Sequence, residues 1–295
     1  MESFLHDISW VVPLRNDTLT LIFNGFTFLG YLPFFLIFLP MGYWLFDKPM
    51  FTRLAVLVGL VGLTNFYLKD LFQDPRPPAA FALDPRVGDS YGLPSGHAEI
   101  AAAMWFYMAF EIRRTWAWVL AIVITIGVGA SRLYLGVHDV EDVIGGTLLG
   151  IATAVVYHGF LFGDFRFLQN LNPVFYLFAL VLLGPLFIYV WPKSPVPINA
   201  IVMLAGFMPI WLLGHTLQTA LIGQQRSSNW VPAIGSSVLA IAGMFAIFKF
   251  GGDALKASGQ SQDVVQMSQM LFMPLYATVI APAIFRLLGL SRTDA

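Results

Sequence analysis

Apolar stretches long enough to cross a hydrocarbon core, about 20 residues each, alternate along the chain with short polar connections. Candidate spans lie at 19–46, 51–72, 94–112, 115–132, 139–162, 172–191, 197–222, 230–250 and 266–289. This pattern predicts an all-α fold, a polytopic transmembrane bundle of about nine spans. The connections carry the helix breakers and charges: "FDKP", "EIRRT", "WPKSPVP", "GQQRSSN" and "GGDALKASGQSQD". Residues 1–18 lack the basic start and small-residue cleavage site of a signal peptide. They read as an interfacial segment with Trp10 and Arg15 near headgroup level.

One connection differs from the others. Residues 73–93, "QDPRPPAAFALDPRVGDSYGL", are rich in proline and charge and poor in apolar surface. In lipid their backbone groups would be unsatisfied, so the loop must sit in water or in protein. Such loops tend to carry function.

Composition agrees with a membrane location: 58% of residues are hydrophobic, 11% are charged, and mean hydropathy is +0.74, whereas roughly a quarter of a soluble domain is charged. The absence of cysteine excludes disulfides, thiolate catalysis and cysteine-based metal sites. A net charge of −1 gives no electrostatic case for binding nucleic acid.

Ionisable groups at or inside spans are costly and mark function. Lys69 ends the second span and Arg76-Pro77 follows it; Pro94-Ser95-Gly96-His97 opens the third; Ser131-Arg132 closes the fourth; His138 and Asp142 open the fifth. Spans three and four form a hairpin whose far turn is Arg113-Arg114. The end of span two, the start of three, the end of four and the start of five therefore share one membrane face. Lys69, Arg76, His97, Arg132 and His138 can converge there, and three cations beside two histidines call for an anion.

Phosphoryl transfer accounts for each residue type. Guanidinium forks and an ammonium match the non-bridging oxygens of a phosphate. The N–H groups at a helix start point at an anion, Pro94 fits the first helical position, and Gly96 allows close backbone approach. His138 and Asp142, spaced i, i+4, share a helix face. The carboxylate can fix one ring nitrogen and leave the other free to attack phosphorus. His97 can protonate the leaving oxygen and then activate water. The set does not resemble a metal cage, because the basic residues supply the charge that a magnesium ion supplies elsewhere.

These residues resemble the three signatures of the type 2 phosphatidic acid phosphatase superfamily. They stand here as "KDLFQDPRP" (69–77), "PSGH" (94–97) and "SRLYLGVHDVED" (131–142). The resemblance implies a phosphatase without metal or other cofactor, with His138 as nucleophile, Asp142 as its orienting partner and His97 as general acid. It implies that Lys69, Arg76, Ser95, Gly96 and Arg132 hold the phosphate. It further implies a six-helix phosphatase-type core within 19–191, with 192–295 adding C-terminal transmembrane helices, and a lipid phosphate or pyrophosphate as substrate. The two spans before the first signature look more like the sphingosine-phosphate phosphatase branch. Two other functions stay open: a phosphotransferase passing the phosphoryl group to a lipid or sugar acceptor, and a lipid-phosphate binder or flippase using the C-terminal spans. The oligomeric state is not legible.

Sidedness follows from loop cations. With nine spans, the face opposite the site holds Lys48, Arg53, Arg113, Arg114, Arg166, Arg226, Arg286 and Arg292; the site face holds Arg15, Arg86, Lys193, Lys249 and Lys256 once the signature cations are set aside. The positive-inside rule then places the site on the extracytoplasmic face of a bacterial plasma membrane.

Other polar residues have plainer readings. Ser131 reads as a helix-end hydroxyl and Asp139 as a helix cap. Glu141 points about 100° away from Asp142, and the His215 stripe reads as helix-to-helix bonding ahead of a substrate path. Gly146 and Gly150 fit a small-residue contact or chance. Asp74, Asp84, Arg86, Asp89 and Tyr91 fit headgroup contact or a solvated loop equally.

Overall fold

The structure, a computed structural model, describes residues 5–87, 90–162, 184–193, 195–222, 225–226, 230–290 and 292–293. These group into two compact units. The first is bounded by Met1–Phe35, Leu60–Asn170 and Trp191–Pro195, the second by Leu36–Gly59, Leu171–Val190 and Val196–Ala295.

Helices dominate both units. They are α1 (Asp17–Phe28), α2 (Leu32–Leu45), α3 (Lys48–Phe72), α4 (Gly96–Ile112), α5 (Thr115–Tyr134), α6 (Val140–Phe162), α7 (Ile198–Val202), α8 (Met208–Ile222), α9 (Trp230–Ala257), α10 (Gln262–Leu275) and α11 (Ala281–Leu287). Among the described residues, the only strand pairing joins Gln225 and Arg226 to Thr293 and Arg292.

Among the described residues, five helical stretches are long and apolar enough to cross a membrane: Lys48–Phe72, Thr115–Tyr134, Val140–Phe162, Ala233–Ala257 and Val264–Leu287. A sixth is possible if α1 and α2, bent by 54°, count as one span. The chain is an integral membrane protein. The sequence leads one to expect nine spans, and the difference has identifiable sources. Helix α4 has 17 residues, which at 1.5 Å per residue gives roughly 26 Å. The stretch expected at 197–222 is helical without interruption, as α7, a π-turn at Met203–Phe207 and α8. The span expected at 172–191 lies mostly outside the described residues.

In the first unit, α1 begins at Asn16, whose side chain accepts the Leu19 N–H at 2.9 Å. Helix α4 ends on Arg113 in the left-handed region at φ 55°, so the α4–α5 hairpin turns at Arg113-Arg114 as its charge suggests. Small residues let α4 and α5 pack closely: Ala109, Ala117 and Ala121 form one buried cluster, and Ala101, Ile124 and Val128 another against Phe26 and Leu29.

Helix α6 meets α4 backbone to backbone. A Cβ at Gly146 would lie 2.5 Å from the Ser95 carbonyl oxygen, and one at Gly150 would lie 2.3 Å from that of Glu99. Any side chain there would separate the helices, so the glycine pair is a packing contact.

The polar loop is fastened to the turn between α5 and α6. The Leu83 N–H donates to the Leu135 carbonyl at 2.8 Å, and Arg15 donates to the carbonyls of Phe81 at 2.6 Å and Tyr134 at 3.2 Å. Arg15, expected at headgroup level, is thus a strut inside the first unit. Gly136 sits at φ +71°, where a Cβ would come within 2.0 Å of the Phe81 oxygen.

In the second unit, Tyr43 Oη lies 3.0 Å from His215 Nδ1 and donates to Gln218 Oε1 at 3.2 Å. Thr216 and Thr219 return their hydroxyls to the carbonyls of Leu212 and His215. The Tyr43 bonds join α2 to α8, as the stripe suggested, and the threonine bonds stay within α8.

Candidate active site

His138 and Asp142 meet through a helix cap. His138 lies two residues before α6 begins at Val140, so the pair does not share a helix face as the i, i+4 spacing suggested. Asp139 is the cap: its Oδ1 accepts the Asp142 N–H at 3.0 Å, and Asp142 Oδ2 accepts the Asp139 N–H at 3.3 Å. This reciprocal capping box brings Asp142 Oδ2 to 2.8 Å from His138 Nδ1.

The other ring nitrogen faces a donor. Arg76 Nη1 lies 3.0 Å from His138 Nε2 and also donates to the Val137 carbonyl at 2.6 Å. A guanidinium can only donate, so Nε2 accepts and the ring proton belongs on Nδ1, bonded to Asp142. That tautomer leaves a lone pair on Nε2. Burial, then the charges of Arg76, Lys69, Arg132 and His97, hold the His138 pKa well below its ordinary 6.5. Burial and the Arg132 charge lower the Arg76 guanidinium to about 10.

Lys69, at the end of α3, donates to the carbonyls of Tyr91 and Gly92, the latter at 2.7 Å. Arg76 also holds the loop, donating to the Ser90 carbonyl at 2.5 Å and to its hydroxyl at 2.8 Å. Both cations therefore shape the residues leading into Pro94.

Helix α4 starts at Gly96 with Ser95 as its N-cap. Pro94 thus precedes the cap and does not occupy the first helical position as the sequence suggested. The Ser95 N–H donates to the Asp142 carbonyl at 3.0 Å, tying this turn directly to α6. Its hydroxyl is buried without a hydrogen-bond partner. A Cβ on Gly96 would come within 2.9 Å of Asn65 Oδ1. Asn65 in turn donates to the Pro94 carbonyl at 3.1 Å and to Glu99 Oε2 at 2.7 Å, a buried brace beneath the turn.

His97 packs edge-on against Tyr31, with ring centroids 4.5 Å apart, and its Nε2 is buried without a hydrogen-bond partner. Arg132 donates to Thr27 Oγ1 and approaches Asp84 Oδ2 at 3.4 Å, while its Nε has no hydrogen-bond partner. Asp84 is buried and is also bonded by Tyr31 Oη and, at 2.8 Å, by Arg86 Nε. Burial opposes its ionisation, but the bonds from Arg86 and Tyr31 and the Arg132 charge outweigh that and bring the carboxyl to about 2. Ser131 returns its hydroxyl to the Val128 carbonyl at 2.6 Å, a helix-end bond.

Pattern reading did not find Thr27, Gly30, Tyr31 and the Asn65–Glu99 brace, and it left Asp84 undecided. One signal was available: the first apolar stretch, 19–46, is longer than one span needs, and its excess is the break at Leu29–Tyr31 that feeds the site. His6, assigned nothing from sequence, bonds Asp139 Oδ2 through Nδ1 at 2.8 Å and lies 3.3 Å from Glu141 Oε2. Asp74, Asp139 and Asp142 have oxygens within 4.8 Å of one another, the one such acidic trio among the described residues. The hydrogen bonds to His6, His138 and the two backbone N–H groups already occupy both Asp139 oxygens and Asp142 Oδ2.

An apolar groove of about 560 Å³ borders the two turns that carry Ser95 and Asp142, lined by Leu5, Leu68, Phe72, Leu93, Ile144 and Leu149 and touching Pro94, Glu141 and Gly145. Pro94 adjoins Ser95, and Glu141 adjoins Asp142.

Residues 51–166 match the model of the PAP2 superfamily. The chain is 32% identical to human "Sphingosine-1-phosphate phosphatase 2" over 61% of its own length and 47% of that protein. It is 32% identical to "Phosphatidylglycerophosphatase B" of Bacillus subtilis (strain 168) over 50% of its length and 78% of that protein. The crystal structure of a transmembrane PAP2-type phosphatidylglycerolphosphate phosphatase from Bacillus subtilis aligns with a TM-score of 0.47 at 28% identity, covering 52% of this chain and 81% of that one. The chain spans about half the length of the sphingosine-1-phosphate phosphatase 2 relatives it matches. The family match takes in every cation and histidine that the three signatures bring together, and the chain belongs to the PAP2 superfamily.

Proposed function

We propose that this chain hydrolyses a lipid phosphate or pyrophosphate through a phospho-histidine on His138. The observation that carries the reading is His138 held between Asp142 and Arg76, with the unprotonated nitrogen, Nε2, on the side of the Arg76 guanidinium. Arg76, Lys69 and Arg132, with the Ser95 hydroxyl and the first N–H groups of α4, bind the non-bridging oxygens. Nε2 attacks phosphorus and the bond from phosphorus to the leaving oxygen breaks. His97 supplies a proton to that oxygen, then takes one from the water that cleaves the phosphorus–nitrogen bond. Inorganic phosphate leaves and His138 returns to its neutral form, with Asp142 stabilising the ring while it carries positive charge. The three fixed cations supply the electrostatic stabilisation, so no metal is required in this scheme.

The apolar groove supports a substrate with a hydrocarbon tail, since it borders Pro94 and Glu141, the residues next to Ser95 and Asp142. In this reading residues 19–191 form the six-helix catalytic core of a nine-span protein, 192–295 add helices, and the site faces out of a bacterial cytoplasm. Purified protein should release phosphate from one or more of phosphatidate, phosphatidylglycerol phosphate, sphingosine phosphate and polyprenyl pyrophosphate in detergent. Release that persists in EDTA and vanishes in His138→Ala is the expected result. Activity lost to EDTA and restored by magnesium would overturn the metal-free scheme.

A further inference from the structure

The carboxylate that orients His138 is bonded on one side only. Asp142 Oδ2 meets both His138 Nδ1 and the Asp139 N–H, whereas Asp142 Oδ1 is buried without a hydrogen-bond partner. Asp142 itself is 0% exposed, and leaving such an oxygen without a donor is costly. The group facing it is another carboxyl. A Cβ on Gly92 would lie 2.9 Å from Asp142 Oδ1 and 2.9 Å from Asp74 Oδ2, so the two side chains meet over the bare Cα of a glycine. The Gly92 N–H donates to the Asp74 carbonyl at 2.8 Å, which fixes the backbone carrying Asp74.

Two ionised carboxyls this close repel, and such pairs relieve the repulsion by sharing a proton. Only a proton makes one of them a donor to the other. The hydrogen bonds of the cluster's other donors go to other atoms: His6 to Asp139, His138 and the Asp139 N–H to Asp142 Oδ2, the Leu93 N–H to Asp74, and Lys69 to two carbonyls.

We propose that Asp74 is a positioning residue that keeps a proton and donates it to Asp142 Oδ1, locking the orienting carboxylate against His138. Burial and the neighbouring Asp139 charge raise the Asp74 pKa, in the direction this requires, while His6, the contact with Asp142 and the Leu93 N–H oppose them. The groups around the shared proton are Asp139 and Asp142 from the start of α6, His6 from the N-terminal segment, and Lys69 from α3. The proposal rests on the phosphatase reading for its effect on turnover. The protonation of Asp74 does not depend on that reading.

The test uses the full chain in detergent with dioctanoyl phosphatidate as substrate, and compares wild type, Asp74→Ala and Asp74→Asn. An asparagine amide donates to Asp142 Oδ1 at every pH. The expected result is a kcat lowered about tenfold in Asp74→Ala with KM little changed, and most of that loss recovered in Asp74→Asn. As pH rises through the Asp74 pKa, wild type loses the donor and gains a like charge, so its kcat falls. Asp74→Asn keeps the donor, and its alkaline limb moves to higher pH. Infrared difference spectra at neutral pH should show a protonated-carboxyl carbonyl band in wild type that Asp74→Asn lacks. Wild-type kcat in Asp74→Ala across the pH range, or no such band, overturns the proposal. If wild type turns over neither this lipid nor phosphatidylglycerol phosphate, sphingosine phosphate or polyprenyl pyrophosphate, the phosphatase reading fails and the infrared band alone decides whether Asp74 holds the proton.

Discussion

The ring of His97 rests on the bare Cα of Gly30: a Cβ there would lie 2.3 Å from the ring Cδ2 and 2.7 Å from Cγ. Gly30 sits in the break between α1 and α2, next to the Tyr31 ring that backs His97. The bend in the first apolar stretch therefore sets where the second histidine stands. Gly30→Ala must displace that ring or the break itself. A kcat reduced about tenfold or more is expected, since small misplacements of a reacting group are costly, with KM nearly unchanged and stability lowered by about 1–3 kcal/mol by the overlap. Steady-state kinetics and melting in detergent check this, and wild-type kcat would show that His97 need not stand there.

The approach of α6 to α4 makes a stability prediction with an internal control. Gly150→Val should destabilise the protein by about 3 kcal/mol or more, because the new side chain meets the Glu99 carbonyl and Ala102. Gly159→Val on the same helix, where nothing lies within 4 Å, should be close to neutral. Melting curves of the two variants in one detergent decide it.

Asp84 gives a pH dependence with a definite sign. Its pKa is about 2 in the folded protein against an ordinary 3.8, so the unfolded chain binds the proton more readily. The stabilisation from its bonds to Arg86, Arg132 and Tyr31 is complete above 3.8 and is lost as pH falls through about 2. Asp84→Asn should be less stable than wild type by on the order of 2 kcal/mol near neutrality. The gap should close as pH falls across that window, as melting midpoints of both proteins at a series of pH values will show.

The groove makes a prediction about tails. A phenylalanine in place of Gly145, whose Cβ would already touch Leu93 Cδ1 at 3.0 Å, fills the groove beside Ile144 and Leu149. KM for a long-chain lipid phosphate should rise about tenfold, as expected when apolar contact is lost, while a short soluble phosphomonoester is turned over as before. Equal effects on both would place the tail elsewhere.

Much of the site was legible because its residues are charged where charge is expensive. Lys69, Arg76, His97, Arg132, His138 and Asp142 stand out in an apolar chain, and the α4–α5 hairpin needs only helix order to put them on one face. Geometry that depends on shape was not legible. The His138–Asp142 bond comes from a capping box, with His138 outside the helix, and spacing alone could not tell that from a helix face. Asp84 fitted headgroup contact and a solvated loop equally in the sequence, because only the contacts of Arg15 and Gly136, which hold its loop against the α5–α6 turn, decide its place. Helix continuity was not legible either: the bend at Leu29–Tyr31 and the π-turn at Met203–Phe207 lie inside apolar runs, and hydropathy carries no information about them.

The central claim is that phosphorus becomes bonded to His138. The most direct measurement is rapid quenching of the enzyme with a lipid carrying labelled phosphate, followed by peptide mapping under alkaline conditions that preserve phospho-histidine. The account predicts label on the peptide containing His138, formed and discharged at rates compatible with turnover and absent in His138→Ala. Full turnover with no label on that peptide, or phosphate release by His138→Ala at the wild-type rate, would contradict it.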